Sequence, residues 1–281
     1  MIESTIDLAR SVGLEAADRV YGRPAQVRRL FVGRRKGFEE VPPMATLLRG
    51  GRGGQVRLKL LLSMLWLGAG APHDVTAPAR SWAALLGLPD PAENGARRVR
   101  AAIEWLERHR FVSVEGSSGK PLRVTLLHEA GSGAPYSVPG SAIAQARAKD
   151  AAADTTDDQY LQLPELCWTR GWLAALSGPG VAMMLVLLHA GRGPDREIWF
   201  SPSVARSIYS LSPDTRTAGL KELAEYGLVR TTRRVVRGQA LDFQRLRNTY
   251  TFESEGLDRL PERLAPEGSD YWFEVGSGRK L

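Results

Sequence analysis

The chain has 281 residues, 43% of them apolar and 25% charged, with a formal charge of +7 at pH 7. That length holds two domains of ordinary size and that apolar fraction can fill their cores, which excludes a disordered or fibrous chain. A single cysteine, Cys167, excludes an intrachain disulfide, and no apolar stretch approaches the ~20 residues of a membrane-spanning helix.

Charge is uneven along the chain. The tail 253–281 carries seven Asp/Glu against four Lys/Arg, which leaves residues 1–252 at about +10. A basic body attracts a polyanion, whether nucleic acid or an anionic membrane surface. The basic stretches lack an apolar face with interleaved aromatics, which argues against the membrane. The opening MIESTIDLARSVGLEAADRV has neither the basic nor the apolar region of a signal peptide. A cytoplasmic, nucleoid-associated protein is therefore expected.

Residues 1–20 suit one loosely amphipathic helix through Ile6, Leu8, Val12, Leu14 and Val20. From 23 to 59, ten Arg and Lys, Arg34 and Arg35 among them, meet only Glu39 and Glu40. Pro42-Pro43 and GGRGG (50–54) break regular structure there, so 1–55 is expected to be an extended basic N-terminal arm. The first domain, 56–128, opens with the apolar helix VRLKLLLSMLWLGAG. Ser81 is a candidate N-cap for a helix Trp82–Leu88, and PDPAENG forms a turn. In the next helix, 96–110, Val99, Ile103 and Leu106 share one face. FVSV (111–114), EGSSGK (115–120) and LRVTLL (122–127) read as strand, turn and strand.

Residues 129–158 are rich in Gly, Ala, Ser, Pro and Asp and are expected to be a flexible linker, with helix around 142–153. The second domain, 159–252, carries the apolar helix VAMMLVLLHAG, the short strand IWFS and a helix from Pro202 to Leu211. Ser212-Pro213-Asp214 combines a hydroxyl cap, a proline at the first helical position and an acid at the positive dipole end. Leu220 and Leu223 give the helix that follows its core face. A hairpin then runs from Leu228-Val229 to 247–252, and 253–281 is an acidic tail.

These two domains repeat one pattern. SWAALLGL (81–88) followed by VRAAIEWLERHRFVSV (99–114) is echoed by VARSIYSL (204–211) followed by RTAGLKELAEYGLVRT (216–231). Leu88 matches Leu211 at an offset of 123, while Ile103, Leu106, Phe111 and Val112 match Leu220, Leu223, Leu228 and Val229 at 117. Six extra residues around PDPAENG reconcile the two offsets. A short helix, a turn, a longer helix and a basic hairpin form a winged helix-turn-helix. The expected fold is mainly α with small β-hairpin wings (α+β), two winged helix-turn-helix domains in tandem.

In such a unit the second helix enters the major groove, its first turn reaching base edges while flanking groups hold phosphates. With Val99, Ile103 and Leu106 inward, Arg97, Arg98 and Arg100 point outward and suit bidentate contact with guanine. The second copy offers Thr215, Thr217 and Lys221, with Arg216 aligned to core Val99 and placed along the surface. Lys120 and Arg123 in the first wing, and Arg233, Arg234, Arg237 and Arg245 in the second, are candidates for phosphate or minor-groove contact. An edge hairpin is also charged simply to prevent strand-on-strand aggregation. Arg34 and Arg35 add phosphate candidates from the arm.

His73, His109, His128 and His189 are scattered, and none stands at metal-ligand spacing from Cys167 or a carboxylate. No GK[ST] follows GRGG or GSGAP. No catalytic residue, metal or cofactor is expected. Most of the tryptophans, Trp66, Trp168, Trp172 and Trp199 among them, read as core or packing residues. Trp105 sits off the inward face of its helix and is free to pack between domains or subunits.

LLRGGRGGQVRLKLLLSMLWLGAGAPHDV, LGLPDPAENGARRVRAAIEWLERHRFV and SPDTRTAGLKELAEYGLV carry a resemblance. The chain is similar to tandem winged-helix proteins of actinobacteria and their mobile elements, an architecture shared by many plasmid replication initiators. The resemblance implies double-stranded DNA as partner, in transcription regulation or in replication from origin repeats, and admits a homodimer and contacts with either machinery. A winged helix also serves as a protein-docking module, in which case Trp105 or the Trp-Phe pair at 272–273 would meet the partner.

Overall fold

The computed structural model describes residues 2–35, 37, 39–50, 52–116, 121–191, 196–199, 201–236 and 245–264. Helix α1 (Ile2–Val20) opens the chain and turns Ala9, Ala16 and Val20 inward. Strand β1 (Ala25–Arg28) and two short helices, α2 (Arg29–Val32) and α3 (Pro43–Leu48), lead into α4 (Arg52–Leu67). Strand β2 (Asp74–Thr76), helix α5 (Ala79–Leu85), a π-helical turn (Pro91–Gly95), helix α6 (Ala96–Arg108) and the hairpin β3 (Val112–Glu115)–β4 (Arg123–Leu126) follow.

After α7 (Pro139–Lys149) the same order returns. Strand β5 (Tyr160–Leu163) and short helices α8 (Leu166–Thr169) and α9 (Trp172–Ala175) lead into α10 (Gly178–Ala190). Then come α11 (Pro202–Tyr209), α12 (Pro213–Glu225) and the hairpin β6 (Val229–Val236)–β7 (Arg245–Phe252), with a closing 3-10 turn (Ser254–Asp258). The protein is thus mixed α+β with small antiparallel sheets. In the first sheet β4 lies between β2 and β3. In the second, Ile198 bridges Tyr250, so β7 likewise lies between β6 and the segment preceding α11.

Each unit starts upstream of its sequence signature, at β1 and at β5, and these two strands pair with each other. They run antiparallel, with Ala25 opposite Leu163 and Val27 opposite Leu161, all four buried. Residues 1–55 are therefore not an extended arm in the structure. Val27, Phe31, Val32, Met44 and Leu47 are apolar and fully buried, and a segment with that much apolar surface gains more by packing than by staying in water. The stretch 129–158, expected as a linker, likewise contributes buried Glu129, Tyr136 and Thr155.

The two units interlock. The segment after α2 reaches the second unit, where the Arg34 amide donates to the Ile208 carbonyl at 2.9 Å. In return α8 sends Trp168 into the first unit. Its ring stacks on Trp66 at 4.4 Å between centroids, and its Nε1 donates to Ser63 Oγ at 2.9 Å. Each fully buried indole removes roughly 200 Å² from water, worth several kcal/mol at ~25 cal/mol/Å².

Two local expectations shift. Helix α5 starts at Ala79 after Pro78, and Ser81 lies within it, because a proline with extended ψ already sets the first turn. Trp199, expected as a core or packing residue, is 46% exposed and packs against Arg247 at the surface. Ser212 does cap α12, its Oγ accepting from the Thr215 amide at 3.1 Å.

Candidate nucleic-acid interface

Helix α6 begins where Asp90, in left-handed conformation, accepts from the Asn94 amide at 3.1 Å and from its Nδ2 at 2.8 Å. Val99, Ala102, Ile103 and Leu106 are buried, as the helical spacing requires. Arg97 and Arg100 are exposed, and Arg97 donates to Asn94 Oδ1 at 2.9 Å. Arg98 departs from the sequence expectation. It is half-buried and lines a cavity of about 230 Å³ with Gly53, Val56, Arg57, Ala101, Ala102 and Trp105.

Arg57 lies over the Trp105 ring at 4.3 Å, and donates through Nε to the Gly53 carbonyl at 3.2 Å and through Nη2 to the Arg49 carbonyl. Trp105 also stacks on His109 at 3.6 Å. Behind them Lys59, 1% exposed, donates to the Ala174 carbonyl at 3.1 Å. Burial pushes its pKa down to about 7; Glu222 opposes that fall and Arg98 adds to it.

On α12, Thr217, Ala218 and Lys221 are exposed, and Lys221 lies 3.9 Å from Glu225. Thr215 is half-buried, with its hydroxyl 2.9 Å from Ser212 Oγ. Arg216 is half-buried too, lining a cavity of about 370 Å³ with Arg206, Leu211 and Pro213. Leu220 and Leu223 are buried, and Glu222 turns toward the start of α10.

The two hairpins are less free than their composition suggests. Arg123 binds Asp74 and lies 3.9 Å from Glu115, so it bridges three strands of its own sheet. Arg234 grips Glu197 with Nε at 3.0 Å and with its second nitrogen. Arg230 meets Glu253 at 2.8 Å, and exposed Arg233 stands opposite Asn248. Arg247, not anticipated from sequence, covers the exposed Trp199 ring at 4.1 Å. Lys120, Arg237, the Arg245 side chain and the pair at 272–273 lie outside the described residues. Arg34 donates to Ser210 Oγ at the turn between α11 and α12, and Arg35 meets Asp157 at 3.0 Å.

The structure thus brings Arg98 together with Arg57 and Trp105, and leaves Arg97 and Arg100 beside them on the outer face of α6. Arg57 was hidden in the sequence among nine other cations of the stretch 23–59. Only the aromatic out of register on α6 hinted that its neighbourhood was special.

Among the described residues no three His, Cys, Asp or Glu side chains are grouped to hold a metal ion, and no helix is long and apolar enough to cross a membrane. Comparison with protein-family models, with curated proteins and with solved structures returned no match.

Proposed function

We propose that the protein is a sequence-specific double-stranded DNA-binding protein without catalytic activity, built as two winged-helix units and acting as a transcriptional regulator. One observation carries this reading. The order helix, short helix, exposed helix and hairpin occurs twice, with β4 flanked by β2 and β3, and β7 flanked by β6 and the single bridging residue Ile198. In a winged helix the exposed helix is the one that enters the major groove. Here α6 offers Arg97 and Arg100 to base edges, while α12 offers Thr217 and Lys221. In this reading the exposed Arg233 of the β6–β7 hairpin follows phosphates.

Anisotropy titrations of labelled duplexes test this. Affinity for random-sequence duplex should fall about 10³-fold or more between 50 and 200 mM salt. A preferred sequence selected from a random library should lose roughly 1–3 kcal/mol of discrimination at one base pair in Arg100→Ala. The reading is overturned if no duplex binds at low salt, or if binding ignores salt.

A further inference from the structure

The two units differ most at the start of their first long helix, where each faces the tenth residue of its exposed helix. In the second unit that residue is Glu222. Its carboxylate accepts from the Ser177 amide at 2.9 Å and from Ser177 Oγ, at the N-cap of α10. It lies so close to Gly180 that a Cβ there would stand 2.1 Å from Oε2. The positive end of α10 is therefore already filled by an anion of the protein's own.

In the first unit the corresponding position on α6, at the offset of 117, is Trp105. The offset of 123 found for Leu88 and Leu211 also superposes the ends of α4 and α10, Leu67 and Ala190, and puts Arg57 where Gly180 stands. A carboxylate on a glycine is replaced by a guanidinium on an indole. The cavity of about 230 Å³ beside them is lined by Arg98 as well, and by Gly53 and Val56 from the first turns of α4. Two arginine side chains thus line one cavity at the position where the second unit holds a negative charge. Among the described residues neither has a carboxylate within ion-pair distance. Arg57 is held in place by two backbone carbonyls and the Trp105 face, which leaves it ordered before any ligand arrives.

We propose that this cavity between α4 and α6 is a phosphate-binding site, taking one backbone phosphodiester of bound duplex between Arg57 and Arg98. Arg98 is then a phosphate ligand that fixes the register of α6 and not a reader of guanine. The source of the phosphate rests on the DNA-binding reading above; the anion site itself does not. The second unit has no such site, because Glu222 occupies it.

The test has two arms on the full chain. Arginine Nε–Hε resonances, assigned with Arg57→Gln and Arg98→Gln, are followed while inorganic phosphate replaces chloride at constant ionic strength. Both side chains are expected to shift saturably, and Trp105→Glu, which installs the second unit's carboxylate, is expected to abolish the response. Separately, each Gln variant should bind random duplex several-fold more weakly and flatten the salt dependence by about one phosphate contact. Arg147→Gln on α7 removes the same charge elsewhere and should not alter the slope. If wild type binds duplex, both variants keep its salt slope and phosphate moves neither resonance, the site is refuted and the DNA reading stands. If phosphate moves both but no duplex binds, the DNA reading falls and the site belongs to a free phosphorylated ligand.

Discussion

Arg28 shows how little a single cation discloses in sequence. It stands among the arginines of a supposed DNA-binding arm, yet it is 1% exposed. Its guanidinium meets Glu129 at 2.7 Å and Asp158 at 2.9 Å and donates to the Ser137 carbonyl at 3.0 Å. Glu129 also takes the Arg28 amide at 3.2 Å. Both carboxylates lie more than a hundred residues away, so no local pattern could announce the pairing. Arg28→Met would leave Glu129, as buried as its partner, without a counter-charge, and urea unfolding should show a loss of about 3–5 kcal/mol. Adding Glu129→Gln should recover a large part of it. A single variant as stable as wild type would mean the network contributes nothing net. Asp158, 30% exposed, can turn to water and needs no second rescue.

Among elements, those whose signals are local were legible and those made by pairing were not. Helix α12 announced itself through Ser212-Pro213-Asp214, and α6 through Val99, Ile103 and Leu106; all of these act within one or two turns. Strand β1 has four residues and its inward pair, Ala25 and Val27, is split by Gln26, so nothing marked it as a strand without β5. The outward reading of α6 was right for Arg97 and Arg100 and missed at Arg98, whose direction depends on how α4 lies across it. Helix α12 depends on a similar close crossing. A Cβ on Gly219 would stand 2.3 Å from the Pro179 carbonyl oxygen of α10. In an isolated helix Gly→Ala stabilises by roughly 0.5–1 kcal/mol. Here Gly219→Ala should instead destabilise by about 1–3 kcal/mol, as overpacking does. Thermal denaturation decides, since a raised midpoint would mean the two helices can part without cost.

At the scale of the whole molecule, a recurring order of helices and a closing hairpin was legible in the sequence, but the union of the two segments was not. The sequence repeat implies two beads on a string, whereas one hydrophobic core runs through both. Strand β5, Trp168 and Lys59 each find their partner in the other unit. Chain fragments 1–153 and 154–281, divided in an exposed loop, should therefore each lack a cooperative unfolding transition, and mixing them should restore it. A second fragment that melts alone like the intact chain would show independent domains after all. The β1–β5 ladder also sets a timetable. Arg28 and Tyr160, its nearest pair in sequence, are 132 residues apart. At ~5–20 residues per second, a growing chain carries β1 with an unpaired edge on the order of 10 s before the ribosome delivers its partner. For that interval the nascent first unit, with Trp66 uncovered, is the form of this protein most exposed to aggregation and most dependent on chaperones.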